Sequence, residues 1–266
     1  MQRRVPVLAQ NQRKDTAMKK ILTVCALVAF ASSALASSKF DMLEYTVRVK
    51  VDSATGSGVV ISSKGGEYIA TASHVVKKHV TKQLAPDNKG MLTVYEPVTV
   101  QFFRYDNGKM VETIDRPAKI VAFDEKIDVA ILEVVHPHSP ITDGAIATAD
   151  IGVNPEVFDE VYAVGAGLAA VPFPTKGIVS SLTGVSIEPE KDDPPFIQHT
   201  ADIAHGFSGG GLFRYNPFSD KYEIIGVNVQ IGVEMSAMGA SQINFMSFAV
   251  KMDNVKELMR KNNVPY

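Results

Sequence analysis

The chain has 266 residues, is 45% hydrophobic, lacks tryptophan and carries 27 Lys+Arg against 29 Asp+Glu. This composition fits a soluble globular protein with a sizeable core in one or two units, and no repeat of fixed period stands out. Residues 1–36 hold six basic residues and one acidic residue; without them 21 basic and 28 acidic residues remain, a net charge of −7. That acidity argues against a nucleic-acid partner, which needs clustered Lys and Arg.

The N-terminus comes first in chain order. "MKKILTVCALVAFASSALA" (18–36) runs from two lysines through an apolar stretch to small residues. This is the layout of a secretory signal, with Ala34-Leu35-Ala36 as the cleavage site, and it predicts an extracytoplasmic protein, periplasmic or secreted. The apolar run is short for a membrane span, so no stable span is expected after its removal; the alternative is an N-terminal anchor. Translation starts at Met1, with 17 polar residues as an extended leader, or at Met18. The sole cysteine, Cys25, lies inside the apolar run. The mature chain is therefore expected to use no disulfide, thiolate or cysteine-bound zinc.

From residue 43 onward the pattern is short strands and turns. "EYTVRVKV" (44–51), "GSGVVIS" (56–62), "EYIATAS" (67–73), "VTVQFFRY" (98–105), "AKIVAFD" (118–124) and "DVAILEVV" (128–135) are rich in Val, Ile, Phe, Tyr and Thr. Short helical turns are expected near 74–82. A proline-containing linker at 134–144 separates a second series at 160–167, 176–187, 195–202, 210–215, 222–231 and 243–250. The segment "MDNVKELMRKN" (252–262) switches to helical spacing, with Val255, Leu258 and Met259 on one side. The expectation is an all-β fold over residues 40–260: two β-barrels, about 40–136 and 145–251, and a C-terminal helix at 252–262.

"IAHGFSGGGLF" (203–213) sets Ser208 among four glycines. Such a density of glycine marks a tight turn or a backbone that must approach something closely. A serine hydroxyl becomes a useful nucleophile beside a base that is itself oriented by a third group, and histidine suits the base. His74 ends a strand-like run beside the small residues Ala72 and Ser73, which places it to serve a cleft. His79, His136, His138 and His199 stand in polar or loop-like surroundings and read as surface residues. Asp128 opens a strongly apolar strand, where a carboxylate needs a partner; Asp124 reads as solvent-facing.

"TASHVV" (71–76), "IDVAILEV" (127–134) and "GFSGG" (206–210), in that order, resemble the three catalytic segments of trypsin-like serine proteases. "VYAVGAG…TKGIVSSL" (161–182) and "FMSFAVKMDNVKELM" (245–259) are similar to segments of the bacterial HtrA/DegP-like branch. The resemblance covers roughly residues 42–260 and implies a double six-stranded barrel. It also implies an exported serine endopeptidase acting on proteins or peptides without metal or cofactor. Ser208 would be the nucleophile, His74 the general base and then acid, and Asp128 the orienting group. The N–H groups of Gly206 and Ser208 would form the oxyanion hole.

The chain departs from the family at several points. Phe207 stands where animal trypsins have the aspartate that receives a new N-terminus, and Gly211 where proline is usual. The 16 residues after Val250 leave no room for the PDZ domain of most HtrA enzymes. Substrate contacts are expected from Asp202, His205, Gln230 and Ile231, with Gly232 on the same pocket wall. Asp202 buried at the base of the pocket would favour Arg or Lys; turned outward it would not. His205 either meets substrate or is a half-exposed loop residue. Asn228 replaces the histidine that glutamate-specific relatives use nearby. The rival readings are a catalytically silent binding or adhesion module of the same fold, and an unrelated secreted β-structure.

Overall fold

The computed structural model describes residues 39–52, 54–61, 68–86, 90–135, 151–152, 154–182, 195–236 and 239–266. The expected leader at 1–36, His136 and His138 lie outside the described residues. A one-turn helix α1 (Asp41–Glu44) leads into β1 (Thr46–Val51), β2 (Ala54–Ile61) and β3 (Tyr68–Ala72). The short helix α2 (Ser73–Val76) and a 3-10 turn (Lys77–His79) follow. A hairpin of β4 (Val80–Leu84) and β5 (Met91–Tyr95) precedes β6 (Val98–Asp106), β7 (Lys109–Asp124) and β8 (Val129–Val134). The second half contains β9 (Glu160–Gly165), β10 (Phe173–Ser181), β11 (Phe196–His199), β12 (Gly211–Asn216), β13 (Lys221–Ser236) and β14 (Gly239–Lys251). It ends in α3 (Met252–Lys261).

The strands close into two six-stranded barrels, in the order β1-β2-β3-β8-β7-β6 and β10-β11-β14-β13-β12-β9. Valine and isoleucine fill the first: Val47, Val49, Val59, Ile61, Ile69, Ile131 and Leu132 are buried. Branched side chains of this kind suit a pleated surface buried on one face. Burying one of them contributes about 1.5–3 kcal/mol, so the barrel interiors dominate the favourable side of the fold. Helix α3 buries Met252, Val255, Leu258 and Met259 in the same continuous cluster as barrel one. All twelve barrel strands and the helix lie where the sequence pattern places them, within a few residues or with one end extended; residues 183–187 of the expected strand 176–187 lie outside the described residues.

The helical turns expected near 74–82 form at 73–79. The hairpin β4–β5 that follows, a separate two-stranded sheet, was not anticipated. "VTKQL" and "MLTVY" show no clean alternation, and Leu84, Met91, Leu92 and Tyr95 are exposed. His79 is not a free surface residue. It closes the root of that hairpin, donating from Nδ1 to the Pro97 carbonyl at 2.9 Å while its own carbonyl accepts from Glu96 N–H.

Candidate active site

The barrel-one half of the site grows from the β3–β8 register. Ala72 pairs with Val129, so the next residues outward, Ser73 and Asp128, come face to face at the barrel rim. Asp128 adopts a left-handed backbone (φ 57°), a conformation that aspartate tolerates better than most side chains. Its backbone carbonyl accepts the Ser73 N–H at 3.1 Å. Its Oδ1 accepts the Ser73 hydroxyl at 2.8 Å and the His74 N–H at 2.9 Å. The Ser73 and His74 N–H groups open α2 and have no acceptor within their own helix; the Asp128 carbonyl serves the first and its carboxylate the second. Oδ2 lies 2.7 Å from His74 Nδ1. Burial alone would raise the Asp128 pKa; the bonds from His74 and Ser73 outweigh it and hold the carboxyl below its ordinary value. An ionised carboxylate accepts only, so Nδ1 carries the proton and the outer nitrogen, Nε2, keeps its lone pair. The sequence reading used Ser73 only as a small neighbour. Its hydroxyl is one of three donors to the carboxylate.

The barrel-two half is the loop 203–211. Phe207 is fully buried and fills the space beside Gly165 and Gly167, edge-on to Phe173 with ring centroids 4.9 Å apart. An apolar anchor thus holds the loop where an ion pair was the alternative. Gly209 has φ 90°, and a Cβ there would lie 2.1 Å from the Ser57 carbonyl, so both conformation and space require glycine. The backbone amides of the loop divide into two sets. Phe207 N–H donates to Ala204 O, Gly209 N–H to Asn228 O and Gly210 N–H to Phe207 O. Among the described residues, the N–H groups of Gly206 and Ser208 have no acceptor. Two free amides, separated by one that is satisfied, form a pair able to receive one developing oxyanion.

The two halves meet at β2. Ser57 N–H donates to the Ser208 carbonyl at 2.8 Å, and Ser57 Oγ donates to the Gly206 carbonyl at 2.5 Å. The same hydroxyl accepts from Ala166 N–H at 2.8 Å. Val75, next to His74, and the Ser208 carbonyl both abut Gly56 at the start of the same strand segment. Ser208 is half-buried and His74 exposed. Among the described residues neither Ser208 Oγ nor His74 Nε2 makes a hydrogen bond, so the two are not bonded to each other in this structure.

The model of the trypsin-like peptidase domain matches residues 56–216, which span β2, α2, Asp128 and the glycine-rich loop. The chain belongs to the trypsin-like peptidase family. Its curated relatives include probable periplasmic DegP-like serine endoproteases. The one from Hahella chejuensis is 28% identical over 209 residues, 78% of this chain and 35% of that protein. The one from Pseudomonas putida is 30% identical over 200 residues, 74% of this chain and 32% of that protein. The chain therefore spans about a third of the length of these relatives. Among solved structures, Deg5 superimposes with a TM-score of 0.52 at 25% identity, covering 80% of this chain and 86% of Deg5. The serine endoprotease from Yersinia pestis does so with a TM-score of 0.56 at 21% identity, covering 85% and 66%.

Within this trypsin-like frame the specificity residues separate. Asp202 is exposed, so it does not supply a buried acidic base to a pocket; its carbonyl accepts the Thr175 hydroxyl at 2.6 Å. His205 is exposed too, with its carbonyl held by Leu168 N–H at 2.9 Å. Gln230 is exposed, Ile231 half-buried and Gly232 buried. His199, expected at the surface, is 0% exposed. It alternates with Ile197 on the inner face of β11, and that period outweighs its polar neighbours Gln198 and Thr200. Among the described residues no three His, Cys, Asp or Glu side chains cluster as metal ligands. A groove of about 690 Å³ lined by Asp159, Tyr162, Arg214, Tyr215, Phe218 and Tyr222 contains none of the site residues.

Proposed function

We propose that this protein is a serine endopeptidase acting outside the cytoplasm on protein or peptide substrates. Ser208 is the nucleophile, His74 the base and then acid, Asp128 the orienting carboxylate. The Gly206 and Ser208 amides are the oxyanion hole. The observation that carries this reading is a division of labour: His74 Nδ1 is committed to Asp128 and Nε2 is left without a partner, while the loop that carries Ser208 has two unpaired amides. His74 Nε2 takes the Ser208 proton as Oγ attacks the peptide carbonyl. The two amides stabilise the oxyanion. The C–N bond breaks as the proton passes to the leaving amine, and water, deprotonated by His74, hydrolyses the acyl-enzyme. The extracytoplasmic location is supported by the signal-like stretch 18–36 and by relatives named as periplasmic.

A fluorophosphonate tests the chemistry. Its phosphorus bonds to an activated serine Oγ as fluoride leaves. Mass spectrometry is expected to find the label on Ser208, with none on Ser208→Ala and little on His74→Ala. A folded protein that stays unlabelled would be a binding module instead.

A further inference from the structure

The proposed chemistry leaves unused a histidine sealed inside barrel two. A buried imidazole is costly unless its polar atoms find partners. His199 Nε2 lies 3.0 Å from Asn228 Oδ1. That oxygen only accepts, so Nε2 carries the ring proton and Nδ1 the lone pair. Asn228, also fully buried, donates from Nδ2 to the carbonyls of Gly210 at 3.1 Å and Gly211 at 3.0 Å. Those two acceptors fix which end of the amide faces the histidine. The Asn228 backbone grips the same segment: its N–H donates to Gly210 O at 2.8 Å, and its carbonyl accepts from Gly209 N–H at 2.6 Å. Every polar atom of Asn228 is thus spent on His199 or on the three residues that follow Ser208.

The strand ladder does not do this work alone. The pairing of β13 with β14 shifts register between Asn228 and Gln230, immediately beside the clamp. An irregular ladder leaves the orientation of Asn228 to its side-chain partners. We infer that His199 is a positioning residue for the reaction proposed above. Its single N–H locks the Asn228 amide, and the amide holds the Gly210 and Gly211 carbonyls that follow Ser208.

The strut is built to stay neutral. Burial pushes the His199 pKa down to about 4, against the Asn228 bond and the nearby Ala201 carbonyl. That carbonyl does not sit in full hydrogen-bond geometry, since Nδ1 has no partner. Val179 and Ser247, which pair with His199 from β10 and β14, and Asn228 carry no charge. A neutral ring has one N–H to give, and Asn228 is the group that takes it.

The test compares His199→Gln, whose amide N–H can stand in for Nε2–H, with His199→Leu, which fills space and donates nothing. Fluorophosphonate titration counts active sites, and acylation rate per titrated site is then read together with kcat and KM. Misplacing a reacting group by about 1 Å can cost about 100-fold. His199→Leu is expected to lose about 10- to 100-fold in kcat with KM nearly unchanged, and His199→Gln to recover most of that. In an Asn228→Ala background, His199→Leu is expected to add no further loss. Wild-type rates per titrated site in His199→Leu, or equal losses in both variants, would overturn the inference and leave the Ser208 reading intact. Absence of label on the wild-type protein would overturn both. If His199→Leu does not fold, 15N NMR of the wild-type histidines decides. An Nε2-protonated ring that stays neutral from pH 8 to about 5 supports the strut, and one that titrates in that range refutes it.

Discussion

The two halves of the site are held in opposite ways. On barrel one, Asp128 is fixed by side-chain and amide donors from Ser73 and His74, partly open to water and dependent on a charge. On barrel two, the nucleophile loop is fixed by backbone bonds, a buried phenyl ring and a neutral His–Asn pair. The contrast follows from the task. In the proposed mechanism the histidine changes its protonation state at each turnover, so its partner has to be charged and its outer edge reachable. The loop must not move while charge develops on the substrate, so it is set by groups that never titrate in the working range.

This contrast can be broken from either side. The largest effect is expected from Asp128→Asn. The amide no longer dictates the Nδ1–H tautomer, and kcat should fall about 10³–10⁴-fold with little change in melting temperature. Steady-state kinetics beside thermal melts checks this. A matching collapse in stability would mean the carboxylate is structural.

Phe207→Ala acts on the other half. Removing a fully buried ring beside Phe173 should cost about 3–5 kcal/mol in urea unfolding, because the cavity stays largely unfilled. The active-site titre should fall before the rate per remaining site does.

The pH dependence of stability separates the halves further. His199 takes up a proton more readily unfolded, at an ordinary 6.5, than folded, at about 4. The unfolded chain therefore binds more protons in that window, and stability drops as pH falls from about 6.5 towards 4. Asp128 has a lowered folded pKa, so its contribution is present above the ordinary 3.8 and is lost only below it. Urea midpoints against pH should show the upper slope in the wild type and a flatter one in His199→Gln.

The smallest effect is expected where the halves touch. Ser57→Ala leaves Ala166 N–H and Gly206 O without their shared hydroxyl, a loss of about 1–3 kcal/mol.

The barrels were legible because their strands are short runs rich in valine, isoleucine and aromatic residues, separated by turn residues. Asp128 was legible because a carboxylate heading an apolar strand has few reasons to be there. The glycine-rich loop was legible because Ser208 stands among Gly206, Gly209, Gly210 and Gly211. What escaped notice depends on contacts between distant strands. His199 has polar neighbours in the chain and apolar ones in space. The β4–β5 hairpin contributes no strand to either barrel and packs only Val80 against the core, so no core pattern marks it. Phe207 was readable as a departure, but its burial against Gly165 and Gly167 is visible only once β9 is folded beside the loop.

Ser57 and Gly206 stand 149 residues apart in the chain, yet one hydroxyl joins them. Closing so long a loop costs more chain entropy than pairing neighbouring strands. A chain with a single barrel folded lacks this contact, so under the proposed mechanism the loop that carries Ser208 is finished only when both barrels are in place.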